Sequence, residues 1–311
     1  MMNSDTTLSA GLRRWAGLGI GLLAVVLVMA GCDSQDLGDA NPETPSIADY
    51  ISEVQALSSL NDAVQTAGLA STLDGDGPFT VFTPTNDAFS PSIDASLNVP
   101  VAQKVLQHHV VSGEVTSDQL SDGQTVAPLA GADLTIGVGD AVTVNRATVT
   151  NADANAANGV VHVVDKLLAD AVDRATLTPR FTIFARLVKE ADLESALRDP
   201  GANDGRTIFA PTNEALLDLL DANGNGEVES SEIPSNAADV LQYHVLDSVF
   251  LAADVPTSET AVTTLEGSDL TVVRDGNAVT LNPNDENASV TTPNVEVDNG
   301  VIHGIDTVLT P

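Results

Sequence analysis

Three short sequence motifs occur twice along this chain of 311 residues, in the same order each time. In the first copy they read FTVFTPTNDAF, LQHHV and NGVVHVVD, and they begin at Phe79, Leu106 and Asn158. In the second copy they read TIFAPTNEAL, LQYHV and NGVIHGID, and they begin at Thr207, Leu241 and Asn299. An ordered repeat of this length indicates that the chain folds twice into the same unit. We therefore predict two tandem domains, at residues 46–170 and 174–310.

Each copy carries the same pattern of helices and strands. Apolar residues at helical spacing open each copy, for example Ile51, Val54 and Leu57 in the first. A short strand follows, and then Pro-Thr-Asn, whose Thr and Asn suit the start of a helix. A further helix leads to the histidine motif, and alternating strands such as 134–136 and 270–273 close the copy. Helices and strands do not alternate regularly, so we predict the α+β class.

The three motifs together resemble those of the fasciclin domain family. The second copy matches the family pattern closely, with Ala-Pro-Thr-Asn-Glu-Ala, the pair Tyr243-His244, and Asn-Gly-Val-Ile-His. The first copy departs at one place, since His108 stands where the family usually has tyrosine. The resemblance implies that each domain is a β-sandwich-like wedge with helices packed around it. It also implies adhesion to other cells, to matrix or to polysaccharide.

All five histidines lie within the repeated motifs. Fixed positions of this kind are compatible with a metal site or with catalysis, but buried rings held by the main chain are the commoner arrangement. We interpret the recurring residues as structural, namely His109, His162, Tyr243, His244 and His303. His108 has no counterpart in the second copy, and its role stays open. We expect it to face a different side from His109, because consecutive residues diverge along a helix or strand.

A twelve-residue segment from Asp221 to Glu232 fits the calcium loop of an EF-hand. Gly226 stands at the sixth position, where the loop turns sharply, and Val228 supplies the apolar eighth position. The alternative is an acidic, glycine-rich surface loop. We predict weak calcium binding here, because two asparagines lower the ligand charge. The predicted ligands, with Glu227 acting through its backbone carbonyl, are Asp221, Asn223, Asn225, Glu227, Glu229 and Glu232.

The beginning of the chain has the plan of a secretory signal peptide. Arg13 and Arg14 precede an uncharged apolar run that ends in small residues. The sequence Val-Met-Ala-Gly before Cys32 resembles the cleavage box of bacterial lipoproteins, and Cys32 is the sole cysteine. We predict a lipoprotein signal peptide at 1–31, acylation of Cys32, and a flexible tether at 32–45, which is polar and contains glycine and proline. A plain signal peptide or an uncleaved anchor is the alternative.

Charge excludes one class of partner. The chain has 12 basic and 44 acidic residues, a net charge of −32. A surface this negative repels phosphate backbones, so we predict no nucleic-acid partner. The scarcity of lysine also indicates adaptation to high salt, where screening weakens repulsion between like charges. The alternative is an ordinary acidic secreted protein.

The sequence carries no recognisable catalytic motif. It has no Gly-x-Ser-x-Gly elbow, no phosphate loop, no dinucleotide glycine pattern and no Cys/His metal cluster. We therefore predict a protein that is not an enzyme, without catalytic residues. A hydrolase of surface polymers would need polar groups converging in a cleft around His108 or another histidine.

The sequence predicts an exported, lipid-anchored protein of the cell envelope, facing the periplasm or the cell exterior. Its predicted role is cell adhesion or binding to a surface or matrix polysaccharide or protein. The alternative is an envelope lipoprotein that captures small molecules or polysaccharides. A large apolar pocket would favour this alternative, and an exposed patch would favour adhesion.

Replacing Cys32 with alanine tests the anchor. We expect the variant no longer to partition into detergent. It lacks the thiol that accepts the acyl chains, and without them the chain has no lipid anchor. Detergent partition and cell fractionation measure this, with Ser34→Ala as the matched control. A Cys32→Ala protein that stays membrane-associated and normally processed would overturn the lipoprotein prediction.

Overall fold

The computed structural model describes residues 44–90, 92–201, 205–282, 285 and 287–311. The predicted signal peptide, Cys32 and nearly all of the tether lie outside these described residues. None of the helices in the described part of the chain combines the length and apolar character that a membrane crossing needs.

Within the described ranges the helices fall into two sets, one in each half. In the first half, residues 44–169, they are α1 to α4, at Ile47–Glu53, Ser58–Thr66, Ala70–Leu73 and Val99–His108. In the second half, from residue 170 onward, they are α5 to α9, at Ala171–Thr176, Thr182–Glu190, Glu194–Arg198, Asn213–Leu220 and Ala237–Tyr243. Short 3-10 helices lie at Gln55–Leu57, Asn86–Phe89, Ser117–Gln119 and Pro179–Phe181.

Each half also contains, among the described residues, one mixed sheet of seven strands. The first sheet has strands β1 to β7, at Phe79–Pro84, Val110–Ser112, Thr125–Val126, Leu134–Val138, Val142–Val144, Ala147–Ala156 and Gly159–Val164. The second has β8 to β14, at Arg206–Pro211, Val245–Leu246, Thr260–Thr263, Asp269–Asp275, Ala278–Leu281, Ala288–Val297 and Gly300–Ile305. Their orders are β2-β1-β7-β6-β5-β4-β3 and β10-β11-β12-β13-β14-β8-β9. The predicted α+β class and tandem arrangement are confirmed.

One parallel strand pair lies at the centre of each sheet. Strand β1 pairs with β7 from Phe79 opposite Gly159 to Pro84 opposite Val164, and β8 pairs with β14 in the same way. The other strand pairs are antiparallel. The close approach explains Gly159, where a Cβ atom would lie 1.9 Å from the carbonyl oxygen of Phe79. The first and third sequence motifs are thus adjacent strands.

The first sheet folds back so that its two ends meet. Val111 of β2 forms a bridge with Pro128, next to β3, and Leu246 forms the equivalent bridge with Thr264 in the second half. Successive strand residues point to opposite faces, so each sheet serves two cores. Phe82 points into the space enclosed by the folded sheet. Its neighbour Val81 faces the core beneath helices α1, α2 and α4.

An asparagine at the start of the last strand fastens the first helix of each half. The side-chain Oδ1 of Asn158 accepts the Ile47 N–H at 2.9 Å, and Oδ1 of Asn299 accepts the Ala171 N–H at 2.9 Å. Helix α5 is therefore the counterpart of α1. The second half accordingly begins with this helix, slightly ahead of the predicted boundary at residue 174.

Helix α5 joins the two halves through its buried side chains. Ala171, Val172 and Ala175 pack in the core of the second half, whereas Leu177, which follows the helix, packs in that of the first. Arg174 is 2% exposed, and its guanidinium donates to the carbonyl oxygens of Ala88 and Ser90 in the first half. Burial lowers the pKa of Arg174 to about 10, which leaves it charged at neutral pH.

One predicted helix is shorter than expected. The Pro-Thr-Asn segment starts the eight-residue helix α8 in the second half, but only the 3-10 turn Asn86–Phe89 in the first. Pro91 follows this turn in the sequence, and a proline disfavours helical backbone at the residue before it. The predicted strands 134–136 and 270–273 both lie within observed strands.

Candidate functional site

The second motif places one histidine of each half in a buried position. Nδ1–H of His109 donates to the Val105 carbonyl at 2.8 Å, and Nε2 accepts the Leu168 N–H at 2.9 Å. His244 repeats this arrangement, with Val240 at 2.7 Å and Leu309 at 3.0 Å. Each ring thereby connects a helix end to the segment that follows the last strand. Both nitrogens are occupied by the main chain, which fixes the tautomer.

The third motif supplies a second buried pair. Nε2–H of His162 donates to the Val115 carbonyl at 2.9 Å, and Nδ1 accepts the Asp153 N–H at 3.3 Å. His303 makes the equivalent bonds, to the Phe250 carbonyl at 2.8 Å and from the Asn294 N–H at 3.2 Å. Both N–H donors lie at irregularities in the strand pairing, so each ring secures a β-bulge.

Burial holds two of these rings, those of His109 and His303, in the neutral state. Burial lowers the pKa of His109 to about 3, against the opposing hydrogen bond to Val105. Burial likewise lowers the pKa of His303. His162 and His303 also stack on Phe82 and Phe209, with ring centroids 5.5 and 5.7 Å apart. A neutral ring with both nitrogens engaged has no lone pair for a metal and no proton to exchange with a substrate.

His108 is placed differently from His109, as expected for consecutive residues. Its Nδ1 lies 3.0 Å from the Ala130 carbonyl oxygen, and its Nε2 lies 3.0 Å from Oδ2 of Asp298. Asp298 belongs to the turn before β14, in the second half. At the equivalent position Tyr243 donates its hydroxyl to the Asp269 carbonyl at 3.0 Å, within its own half.

His108 lies on the wall of a cleft between the two halves. The cleft has a volume of about 470 Å³. Apolar residues from both halves line it, namely Val105, Ala132, Leu168, Ala169 and Pro200. Polar side chains also face it, namely Lys104, Asp133, Thr135, Asn145, Asp170, Arg198, Asp298 and Asn299. The cleft is a mixed surface of a size that accommodates a small ligand.

An ionic network borders the cleft. Lys104 of α4 lies 2.6 Å from Asp173 and 3.6 Å from Asp170, and Arg198 of α7 pairs with both carboxylates. Burial and the neighbouring Asp173 charge raise the pKa of Asp170. Burial also acts on Asp173, but the bonds from Arg198 and Lys104 outweigh it and lower its pKa. Lys104 thus ties α4 of the first half to the start of α5 in the second, and Arg198 of α7 shares the same two carboxylates.

The segment Asp221–Glu232 forms a compact loop whose first and last carboxylates each accept hydrogen bonds from several backbone amides. Asp221 accepts the N–H groups of Gly224, Asn225 and Gly226 at 2.8, 3.1 and 2.8 Å. Glu232 accepts those of Ala222, Asn223 and Glu229 at 3.0, 3.3 and 2.9 Å. Gly226 has a φ of +82°, which suits glycine at the sharp turn.

The other predicted ligands follow the same loop. The Oδ1 of Asn223 accepts the Asn225 N–H at 3.0 Å, and the amide of Asn225 donates to Glu229 at 3.2 Å. Oδ1 of Asn225 accepts the Glu227 N–H at 2.8 Å. Among the described residues, no group of three or more His, Cys, Asp or Glu side chains is arranged to hold a metal ion. A calcium site would therefore need the asparagine and main-chain oxygens to complete its ligand set.

The loop is fastened to its domain at its apolar position. Val228 is 1% exposed, and its carbonyl oxygen accepts a hydrogen bond from the Arg186 guanidinium on α6. Helices α8 and α9, at Asn213–Leu220 and Ala237–Tyr243, lie on the two sides of the loop. The loop is thus an insertion between the first and second motifs that packs onto the second half.

The comparison with protein families agrees with this architecture. The fasciclin domain model matches residues 55–170 and 179–311, and the chain belongs to the fasciclin domain family. A solved FAS1 domain pair from the insect cell adhesion molecule fasciclin I covers 82% of this chain and 97% of its own. Its sequence identity is 18% and its TM-score is 0.39.

Curated relatives share one or both halves. Protein sll1483 of Synechocystis is 41% identical over 137 residues, which is 42% of this chain and 76% of that protein. Human periostin is 26% identical over 256 residues, covering 80% of this chain and 29% of periostin. Mouse stabilin-2 is 28% identical and covers 86% of this chain but 11% of its own length. The chain therefore spans less than a third of these two larger relatives.

Sequence reasoning did not find the contacts between the halves. Lys104, Asp170, Asp173, Arg198 and Asp298 lie outside the repeated motifs. In a chain with 44 acidic residues, three aspartates give no distinguishing signal. The one usable signal was His108, the residue that departs from the motif of the other copy.

Replacing His244 with alanine tests the structural role of the buried histidines. We expect the free energy of unfolding to fall by about 1–3 kcal/mol, because the Val240 carbonyl and the Leu309 N–H lose their partner. Urea denaturation followed by circular dichroism measures the change. The half-exposed Gln242→Ala is the control, expected within about 0.5 kcal/mol of the parent. Unchanged stability together with lost binding would instead assign His244 to a ligand site.

Proposed function

We propose that this protein is exported, anchored to the cell envelope by a lipid on Cys32, and mediates adhesion to cells, matrix or polysaccharide. The observation that carries the proposal is the pair of fasciclin domains occupying nearly the whole described chain. The domain pair described from fasciclin I comes from a cell adhesion molecule. The matched parts of periostin and stabilin-2 are small fractions of those proteins, so only the domain pair, and not the whole relatives, supports this role.

The placement of the motif residues also supports a binding role rather than catalysis. His109, His162, His244 and His303 are engaged with the main chain, and burial holds two of them neutral. The residues that distinguish the family therefore serve the fold, which leaves the surface for partners. With a net charge of −32, that surface suits neutral or cationic partners, or acidic ones under high salt.

A second candidate is capture of a saccharide or another small polar ligand in the cleft between the domains. The cleft offers apolar walls together with carboxylates, amides and a lysine. Carboxylates and amides hydrogen-bond hydroxyl groups well. This arrangement fits a neutral polyhydroxy ligand better than an anionic one, because its cations already pair with aspartates.

Binding assays with the full chain distinguish the two candidates. We expect the immobilised protein to retain cells or envelope polysaccharide, and the cleft-filling variant Ala132→Trp to bind as well as the parent. Ala278→Trp, an exposed position on β12, is the matched control. Loss of binding in Ala132→Trp alone would favour the cleft, and no retention of any cell or polymer by the parent would overturn adhesion.

We further propose that the loop Asp221–Glu232 binds one calcium ion weakly and steadies the second domain. The residue spacing supports this, together with the amides gathered around Asp221 and Glu232, which keep the loop compact. The loop is mostly exposed at the surface of the second half, and the sequence of the first half has no such insertion. One site per chain is therefore expected.

Calorimetric titration of the full chain after chelation tests the calcium site. We expect one calcium per chain with a Kd on the order of 10⁻⁴ to 10⁻³ M. At a hundredfold excess over Kd, calcium should stabilise the fold by about 2.7 kcal/mol, seen as a higher melting temperature. Glu232→Gln should weaken binding most, Glu214→Gln on the exposed start of α8 should not, and magnesium should substitute poorly. Absence of heat and of a melting shift at tens of millimolar calcium would reduce the segment to an acidic loop.

A further inference from the structure

His108 lies between two hydrogen-bond acceptors. One ring nitrogen is 3.0 Å from the carbonyl oxygen of Ala130, and the other is 3.0 Å from a carboxylate oxygen of Asp298. A neutral imidazole has a single N–H and satisfies only one acceptor. Both contacts are hydrogen bonds only when the ring carries two protons, as the imidazolium cation.

The Asp298 partner lies across the boundary between the two domains. It occupies the turn between β13 and β14, and its own N–H donates to the carbonyl of Ala169 at 2.9 Å. His108 ends helix α4 of the first domain. The pair is mostly shielded from solvent, with side chains 10% and 15% exposed. Low exposure strengthens such a pair and makes loss of its charge more costly.

The first domain has a glycine where the His108 ring packs. Its ring lies against Gly131, where a Cβ atom would be 2.4 Å from Nδ1 of His108. The second domain has Tyr243 in the equivalent place, and this hydroxyl contacts Asp269 and Asn282 of the same domain. The exchange of tyrosine for histidine therefore turns a contact inside one domain into a contact between two.

Charged and titratable side chains surround the His108 ring, both on its own helix and on the elements packed against it. On its own helix, Lys104 lies one turn earlier and His109 follows. The same cleft is lined by Asp133 of the first domain and by Asp170, Asp173, Arg198 and Asp298. Burial opposes protonation of His108, but the hydrogen bond and charge of Asp298, helped by Ala130 and Asp170, outweigh it and raise its pKa.

We propose that His108 and Asp298 form a proton-dependent lock between the two domains. The lock is closed while the imidazole carries both protons and is loosened when the ring becomes neutral. It borders the cleft, so its state also sets the shape of the cleft wall. It is a property of the domain pair and holds whichever partner the protein binds.

The direction of the pH dependence follows from the pairing. The pKa of His108 is higher in the folded chain than in the unfolded chain, where it is about 6.5. The stabilisation by the lock is therefore complete below about pH 6.5 and is lost as the pH rises through the higher, folded value. Acidification closes the lock and alkalinisation opens it.

Nuclear magnetic resonance of the histidine rings in the full chain tests the charge of the pair. We expect the His108 ring, assigned by its loss in His108→Tyr, to titrate above pH 6.5. In Asp298→Asn its midpoint should fall to 6.5 or below, because burial then acts without the carboxylate. A His108 midpoint at or below 6.5 in the parent chain would overturn the proposal.

Hydrogen exchange at the amide of residue 298 tests the domain contact. After correction for intrinsic exchange, its protection should fall by about tenfold for each unit by which pairing raises the histidine pKa. The decrease should occur as the pH rises through the His108 midpoint. His108→Tyr restores the residue type of the second domain and should be flat over the same range, as should Asp298→Asn. The same pH dependence in the parent and in Asp298→Asn would show that the pair does not hold the domains together.

Discussion

The parallel pairing of the first and last motif strands is the interaction on which each domain depends. These strands are far apart in sequence, and a parallel pair needs a long crossover between its members. The helices and the antiparallel strands of each domain all lie within that crossover or attach to it. Asn158 and Asn299, at the start of the last strand, fasten the first helix of each domain. His109 and His244, at the ends of helices α4 and α9, then fasten these helices to the segment after the last strand of each domain.

Much of this architecture could be predicted because the same set of motifs occurs twice in the sequence. A repeated motif separates the positions that the fold requires from those that vary, so the number of domains, the α+β class and several of the strands followed directly. The extent of the first Pro-Thr-Asn helix did not follow, because a turn replaces the helix in one copy only, the copy whose sequence has a proline directly afterwards. The pairing of the first with the third motif could not be read from hydrophobic pattern either, since parallel register has no short-range turn to fix it.

The boundary between the domains could not be predicted, for a different physical reason. A repeat records what each domain needs for itself and holds no information about contacts made between the copies. Lys104, Asp173 and Arg198 are ordinary surface residues by sequence, and only the packing of α5 against both α4 and α7 brings them together. His108 was recognisable as unusual, but its partner Asp298 is 190 residues away. In an acidic chain, nothing marks that aspartate before the fold is known.

Helix α5 has a consequence for how this protein can be divided. It opens the second domain, yet Arg174 and Leu177 are buried against the first. A cut at the repeat boundary would leave one fragment with an uncovered surface and the other with a buried cation lacking its acceptors. The pair is therefore the smallest piece that evolution or an engineer can move intact. A single domain of this chain therefore cannot be moved into another protein unless the junction around α5 is redesigned.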